Sequence, residues 1–540
     1  MNELESVKNT QKLIDELMRV LNNFGLATDT AGYEIVTQIF LYKFLNDKFI
    51  KSSKNTLSIE NNIQLYEKLE KINEAEEMEL FIKNGPEVPR FKSKHIIHSL
   101  EKNINDDKFF ELLDDTLNEI SLINSDIFSA SQSEGEQIKL FEYKISTAVE
   151  TSKKNKLAKT LVEKLVDYDF SKDIDQGFDF FSIVFEYLIE PFNAKDGGDY
   201  AEYYTPNAVS RLMSEILVGT SSPKSVTCYD PSAGSGTLLM NLASVIGQSN
   251  CSIYAEDITQ KGTKLLRLNL ILNKLASSLK NIINTNTLSE PGFTKPDGSL
   301  QKFDFIISNP PFRYDFSDFQ PVLKSRENSK RFFCGIPDIP KKDKKSMKIF
   351  VPFLQHMIYR LNENGKGSVV VPTGFLSSNE KIEKCIKKYL IENNFISGVI
   401  TPPENIFANT STSVSIIFLD KNKKTDKVFM IDAQDLGYDA KDHRGKKKRF
   451  LTSEDVEKIK TSAFNLTQEK EFSIPVSTEE IQDKEFSLVP AWYFPFDFFD
   501  LDKDEIEKTS IEVEILHKKI NENLETDNEA IQKLKKLFNF

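Results

Sequence analysis

What the 540-residue sequence lacks narrows its role first. No run approaches the roughly twenty consecutive apolar residues that a bilayer-spanning helix needs, so no membrane attachment of that kind is expected. The opening MNELESVKNTQKLIDELMRVL has neither the basic start nor the apolar core of a signal peptide, and export is not expected. Cysteine is scarce: Cys228, Cys251, Cys334 and Cys385 show no paired spacing, and the 5 histidines form no cluster with them. That usage fits a reducing cytoplasm and argues against a zinc or other metal site. Excess positive charge is missing too, with 70 Lys and Arg against 82 Asp and Glu and a net charge of -12. A protein that grips phosphates needs cations, so any DNA grip must be local or supplied by a partner. Two basic runs, 341–348 (KKDKKSMK) and 444–449 (RGKKKR), could serve, but each reads equally well as a solvated loop.

Glycine and proline are nearly absent before about residue 170, where Leu, Ile, Glu, Lys and Asn dominate. Ile35, Ile39, Tyr42, Phe44 and Leu45 recur at helical spacing, so residues 1–170 are expected to be an all-helical N-terminal domain, broken at 84–89 (NGPEVP). Residues 171–177 (SKDIDQG) look like a joint. From about 180 to 420, short apolar runs alternate with amphipathic helical stretches, the texture of a parallel α/β sheet. The strand candidates are 225–229, 252–255, 303–308, 367–371, 396–401 and 414–419. Residues 313–345 are charged and irregular, as expected of an active-site loop. Beyond the break at SLVPAWYFPFDFF, Val513, Leu516, Ile520, Leu524, Ile531, Leu534 and Phe538 mark a terminal helix over about 504–538, able to fold back or to dock on another subunit.

Three segments carry chemistry. In VTCYDPSAGSGTLL a strand ends at Asp230 and a glycine turn enters a helix, so Gly234 and Gly236 allow close backbone approach to a ligand at a helix N-terminus. Alone, this says only that a nucleotide-like cofactor could bind. In SIYAED a strand ends in carboxylates, as expected for a pair of ribose hydroxyls; Asp257 is the first choice and Glu256 the second, while either could simply cap the next helix. In FDFIISNPPF an apolar strand runs into Asn309, Pro310, Pro311 and Phe312. An asparagine carbonyl and a proline-locked backbone carbonyl can accept both hydrogens of one exocyclic NH2 group. Phe312 could then stack on an adenine turned out of the duplex.

DPSAGSG resembles the cofactor motif of amino-methyltransferases, and SNPPF resembles their [DNS]-P-P-[YFW] tetrad. Upstream, DYAEYYTPNAVSR resembles the Tyr-Thr-Pro element that precedes the glycine turn in gamma-class DNA adenine methyltransferases. The resemblance narrows to the modification subunit of type I restriction-modification systems and covers nearly the whole chain, including TAGYEIVTQIFLYKFLNDKF, GKGSVVVPTGFL and ISGVITPPENIFANTSTSVSIIFL. It implies a Rossmann-like domain that uses S-adenosylmethionine, spanning 171–480, followed by a C-terminal helical tail at 481–540 for subunit docking. It also implies cofactor contacts from Glu202, Tyr203, Tyr204, Thr205, Pro206 and Asn207 beside the methionine moiety, where aromatic faces suit a sulfonium. Asp230, Ser232, Ala233, Gly234, Gly236, Glu256, Asp257 and Asn286 would complete the cofactor site. The chain departs from the family where Thr285, Asn286, Thr287 and Leu288 replace Gly-Asp-Thr-Leu and where Ser232 and Ala233 replace Ala-Cys; Asn286 could still meet the adenine amino group.

The reaction so implied is in-line methyl transfer to adenine N6, without a covalent enzyme intermediate. Few residues remain after the core for reading bases, so target choice is expected to fall to a separate specificity subunit. The implied partners are DNA, that subunit, a second copy of this chain and, in some systems, a restriction subunit. Rival readings are a self-sufficient adenine methyltransferase, a protein-glutamine methyltransferase and a non-catalytic scaffold.

Overall fold

The computed structural model describes residues 3–26, 30–128, 130–131, 137–141, 143–174, 184, 187, 205–407, 413–441 and 447–495. The chain divides into a unit of residues 1–492 and a unit of residues 493–540. The expected helix at 504–538 and the candidates Glu202, Tyr203 and Tyr204 lie outside the described residues.

Up to residue 174 the described chain is helical apart from a small ribbon, Ala130–Ser131 with Gln137–Ile138. The helix Glu3–Asn23 turns Leu13, Ile14, Leu17, Val20 and Leu21 inward at three-and-four spacing, with polar residues between. The helix Thr30–Leu57 is the hub: Ile35, Ile39, Tyr42, Phe44 and Leu45 are all buried, and Tyr42 donates its hydroxyl to the His95 carbonyl at 2.8 Å. The helix Glu74–Asn84 starts on a capping box from Asn73 and ends at Gly85, whose φ of 93° permits the turn into Pro86. Thus the break expected at 84–89 is a helix end. Lys264 joins this region to the α/β part through a 3.0 Å ion pair with Glu34.

The α/β part is built on a nine-stranded sheet. Its strands, numbered in chain order within this sheet, are β1 (Val226–Asp230), β2 (Cys251–Asp257), β3 (Ile282–Asn284), β4 (Phe303–Ser308), β5 (Leu361–Pro372), β6 (Ile396–Thr401), β7 (Val414–Asp420), β8 (Lys427–Asp432) and β9 (Ser473–Ser477). The spatial order is β9-β8-β6-β7-β5-β4-β1-β2-β3. β1 is parallel to both β2 and β4, so the chain moves outward to one side and then crosses to the other. Between the carbonyl ends of β1 and β4 lies the switch point at which sheets of this kind bind ligands.

The sheet is mixed rather than wholly parallel, because β7 inserts antiparallel between β5 and β6 and β9 runs antiparallel to β8. β3 has only 3 residues, too few to register as a hydrophobic period. β9 contains Pro475, which argues against a strand except at a sheet edge, and an edge is where it lies. Beyond β8, Tyr438–Lys441 and Lys447–Phe450 pair as a separate ribbon.

Residues 313–345 are largely irregular, as expected, with one short helix at Gln320–Leu323, and the segment has a small core of its own in which Phe316, Leu323, Phe332 and Ile336 meet Leu288, Met347, Ile349 and Phe353. The cysteines are not all unpaired. Cys334 of this insertion is disulfide-bonded to Cys385 of the helix Lys381–Glu392, with Cα atoms 5.8 Å apart across 51 residues of sequence. Pairing set by tertiary contact leaves no trace in local spacing. Among the described residues no helix is long and apolar enough to cross a membrane.

Candidate active site

The end of β1 is tied to the end of β4 through one carboxylate. Asp230 Oδ1 accepts the Ser232 amide at 2.9 Å and the Ser308 hydroxyl at 2.7 Å, and the two serine hydroxyls lie 2.8 Å apart. Burial pushes the Asp230 carboxyl up to about 7; the neighbouring Asp257 adds to this and the Ser308 and Ser232 hydrogen bonds oppose it. Asp230 therefore braces the turn from behind rather than facing the cleft.

The two glycines of the turn have different tasks. Gly234 lines the cleft and donates its amide to Asp257 Oδ2 at 2.7 Å. Gly236 has φ of 80°, and a Cβ placed there would lie 2.2 Å from Leu266 Cδ1. Its bareness lets the helix Thr237–Ile246 close on the helix Gln260–Leu272, so its contribution is to packing. Ala233 is buried in the same turn and donates its amide to the Glu256 carbonyl at 3.0 Å.

Alternation along β2 separates the two acids that follow one another in sequence. Asp257 lines the cleft; its Oδ1 accepts the Thr259 amide at 2.8 Å and hydroxyl at 2.6 Å, so it also steadies the N-cap of the next helix. Burial holds its carboxyl above the ordinary range. Glu256 is fully buried away from the cleft, where it accepts the Tyr229 hydroxyl at 3.0 Å. Burial raises its carboxyl and nearby Arg360 opposes that rise. The same cluster includes Arg331 and His356, with Tyr229 and His356 3.2 Å apart.

Asn286 also lines the cleft, but its Oδ1 already accepts the Leu288 and Ser289 amides at 3.2 and 3.4 Å. Toward a nucleoside it offers its NH2, a partner for a ring nitrogen rather than for an amino group.

Past β4, Asn309 is 4% exposed and donates Nδ2 to the Thr205 hydroxyl oxygen at 3.2 Å. Its Oδ1 is buried with no partner among the described residues. A native chain rarely leaves such an acceptor idle without a functional reason. Pro310 is buried, Pro311 lines the cleft, and Phe312 is partly buried against the main core. Pro206 accepts the amide of Ser210, and Asn207 accepts the Asn241 amide at 2.8 Å, anchoring the helix Asn207–Val218 beside the glycine-turn helix.

The cleft brings together Ser232, Gly234, Asp257, Asn286 and Pro311. Several of its walls were not anticipated. Ile258, 55% exposed, directly follows the acidic pair, so a local signal existed for it. Tyr314 and Phe319 come from the segment 313–345 that was expected to be an active-site loop, whereas tertiary packing alone brings Ile349 and Phe353, at the start of the helix Phe350–Arg360, to the cleft. Apolar walls around a few convergent polar groups and a bare glycine fit an adenosine moiety with its ribose. The residues present thus suit S-adenosylmethionine.

A cleft of this make at the switch point of a mixed α/β sheet, beside a buried amide whose Oδ1 has no partner among the described residues, fits a transferase that uses a nucleoside cofactor. The model of the family "N-6 DNA Methylase" matches residues 176–497, and the chain belongs to that family of DNA methyltransferases. The type I restriction enzyme MpnII methylase subunit of Mycoplasma pneumoniae is 26% identical over 510 residues, covering 92% of this chain and 88% of the relative. The HindI methylase subunit of Haemophilus influenzae is 28% identical over 57% of this chain and 67% of its own length. Among solved structures, a type I restriction-modification methyltransferase subunit from Streptococcus thermophilus has the same fold: TM-score 0.71, 24% identity, covering 91% of this chain and all of that one.

Proposed function

We propose that this chain is the modification subunit of a type I restriction-modification complex, acting in the cytoplasm. It transfers methyl from S-adenosylmethionine to adenine N6 in DNA at a sequence chosen by a separate specificity subunit. The observation that carries the chemistry is Asn309: a buried amide held by Thr205 on its NH2 side, with Oδ1 left over as an acceptor. An exocyclic amino group donated to Oδ1 and to the Pro310 carbonyl keeps its lone pair directed out of the hydrogen-bonded plane. Phe312 supplies a stacking face for a base turned out of the helix. When bound, the cofactor supplies an electrophilic methyl on its sulfonium. Asp257 and Gly234 would hold its ribose edge, Asn286 its adenine ring and Ile258 the ring face, while 202–207 would meet its methionine end. The main effect of the protein is alignment of the attacking nitrogen, since no covalent intermediate is needed.

The assembly follows from what the chain has little of. Its net charge of -12 leaves most DNA contact to partners: the specificity subunit, a second copy of this chain and, where present, a restriction subunit. Functionally the chain divides into a helical domain (1–170), a transfer domain (171–480) and a docking tail (481–540).

The test is transfer of labelled methyl from S-adenosylmethionine to DNA by the purified chain, alone and with the specificity protein encoded beside it, with Asn309→Ala as control. Label in N6-methyladenine only with the partner, and absent in the variant, is expected. Transfer by the chain alone would make it a self-sufficient enzyme. Cofactor binding without transfer in the complex would overturn the proposal.

A further inference from the structure

We propose that Thr205 is the positioning residue for Asn309, orienting its amide so that oxygen rather than nitrogen is presented to the target amino group. The inference rests on the reading of Asn309 as the acceptor for that group. A primary amide is nearly symmetric in shape, yet its two ends are opposite in hydrogen bonding. If Nδ2 faced an adenine NH2, donor would meet donor and the base would be repelled. The side chain itself has no preference, so the surroundings must decide. In the structure they do so through one contact: Asn309 Nδ2 donates to Thr205 Oγ1 at 3.2 Å, while Oδ1 has no partner among the described residues. Thr205 is 3% exposed and Asn309 4%, so water cannot easily replace either end of the bond.

Thr205 is itself held in place although 104 residues separate it from Asn309. It directly precedes Pro206 and the helix Asn207–Val218. That helix is fastened to the glycine-turn helix Thr237–Ile246 by Asn241 Nδ2 on Asn207 Oδ1 at 2.8 Å and by the Ser210 hydroxyl on the Thr237 carbonyl at 3.1 Å. The glycine turn is tied in turn to the catalytic strand by the Ser232, Asp230 and Ser308 contacts. A closed loop of contacts therefore links upstream segment, cofactor turn and catalytic loop. The upstream segment sets the orientation of the catalytic amide, in addition to any contact with the cofactor.

Thr205→Val keeps the shape and removes the acceptor; Thr205→Ser keeps the hydroxyl. Both are assayed in the complex with the specificity subunit, under single-turnover conditions at saturating S-adenosylmethionine, with cofactor affinity measured separately by equilibrium dialysis. Thr205→Val is expected to slow transfer by about 10²-fold, the scale for losing one preorganised polar contact at a reacting centre. Cofactor affinity should fall much less than the transfer rate, even though the segment 202–207 would meet the cofactor's methionine end, and Thr205→Ser should transfer at close to the wild-type rate. In an Asn309→Ala background Thr205→Val should cost nothing further, because the residue acts through the amide. Wild-type transfer by Thr205→Val overturns the proposal. So does a loss confined to cofactor affinity, or a full additional loss in the Asn309→Ala background. A wild-type complex that binds cofactor but methylates no adenine overturns the functional reading and this inference together.

Discussion

The two walls of the cleft are made in different ways. One consists of strand ends and the turns that leave them: Asp230, Gly234, Asp257 and Asn309 lie within a few residues of the termini of β1, β2 and β4. Its bonds are short, polar and centred on backbone amides, as in the contacts of Asp257 with Gly234 and Thr259. The other wall is the insertion 313–349, which reaches the cleft through Tyr314, Phe319 and Ile349. It is held by a small apolar core, by Arg331, and by a disulfide. In the proposed function the first wall places the reacting atoms and the second encloses what lies between. Substitutions in the first should therefore alter rate or protonation, and substitutions in the second should alter stability and cofactor affinity.

The largest effect should come from Asn309→Ala. Removing an acceptor that acts on the reacting nitrogen is expected to cost about 10³-fold in single-turnover transfer, near 4 kcal/mol. Cofactor affinity should stay the same, because in the proposed function the amide meets the substrate base and not the cofactor. If cofactor binding fell in proportion to rate, the division between the walls would be wrong.

Asp230→Asn tests the same wall through pH. The folded-state value of about 7 lies above the ordinary 3.8, so between these values the folded protein binds the proton more tightly than the unfolded chain. Stability from the protonated form is full below the ordinary value and is lost as pH rises through about 7. Asparagine has no proton to lose and keeps the oxygen that accepts from Ser232 and Ser308. The variant should thus be more stable than wild type above neutrality, by at most about 4 kcal/mol, with the gain shrinking toward acid pH. Chemical denaturation of the cofactor-free chain across that range would show it; a gain independent of pH would mean Asp230 is not the group titrating.

How much was legible follows the same division. The glycine turn, the acids after β2 and the Asn-Pro-Pro-Phe segment were visible because each is a strand end and its turn, written in consecutive residues. Sequence could not decide between Glu256 and Asp257, since adjacent residues on a strand face opposite ways and only the fold says which face holds the cleft. Asn286 was visible as a residue, but not the engagement of its oxygen by Leu288 and Ser289. The Tyr-Thr-Pro element was legible only by resemblance; nothing in YYTP foretells a bond from Asn309 to Thr205. β3 and β9 escaped through shortness and Pro475. The insertion was legible as an irregular segment at the site, but its small core was not, because the core residues are widely spaced and meet partners from elsewhere.

On the second wall, Arg331 is the fastening whose loss should be felt most. Its guanidinium donates to the carbonyls of Thr287 and Leu288, both lining residues, and burial brings it down to about 10. Arg331→Ala leaves two buried carbonyls without their donor and Glu256 with one nearby cation fewer. Roughly 3 kcal/mol of stability should be lost, measured by denaturant unfolding. Weaker cofactor binding should accompany it, with the transfer rate at saturating cofactor nearly preserved. A collapse in that rate would join the two walls into one device.

The smallest effect should come from the Cys334–Cys385 bond. It closes a loop of 51 residues, for which chain entropy gives about 4 kcal/mol as a ceiling and common experience about 2 kcal/mol. The bond is not the insertion's sole tie to the helices packed against it. Cys334 donates its amide to Gln355 Oε1 at 2.8 Å, Gln355 Nε2 donates to the Gly335 carbonyl at 2.8 Å, and Phe333 lies 4.3 Å from Tyr389 between ring centres. These contacts remain when the sulfurs are reduced, as they would be in a reducing cytoplasm. Cys334→Ser, or reduction of the wild type, should therefore lower the unfolding midpoint modestly and leave both transfer rate and cofactor affinity close to their oxidised values. Should reduction instead weaken cofactor binding as much as Arg331→Ala does, the insertion would depend on its covalent tie more than on its core. The enclosing wall would then respond to redox state, while the strand-end wall would not.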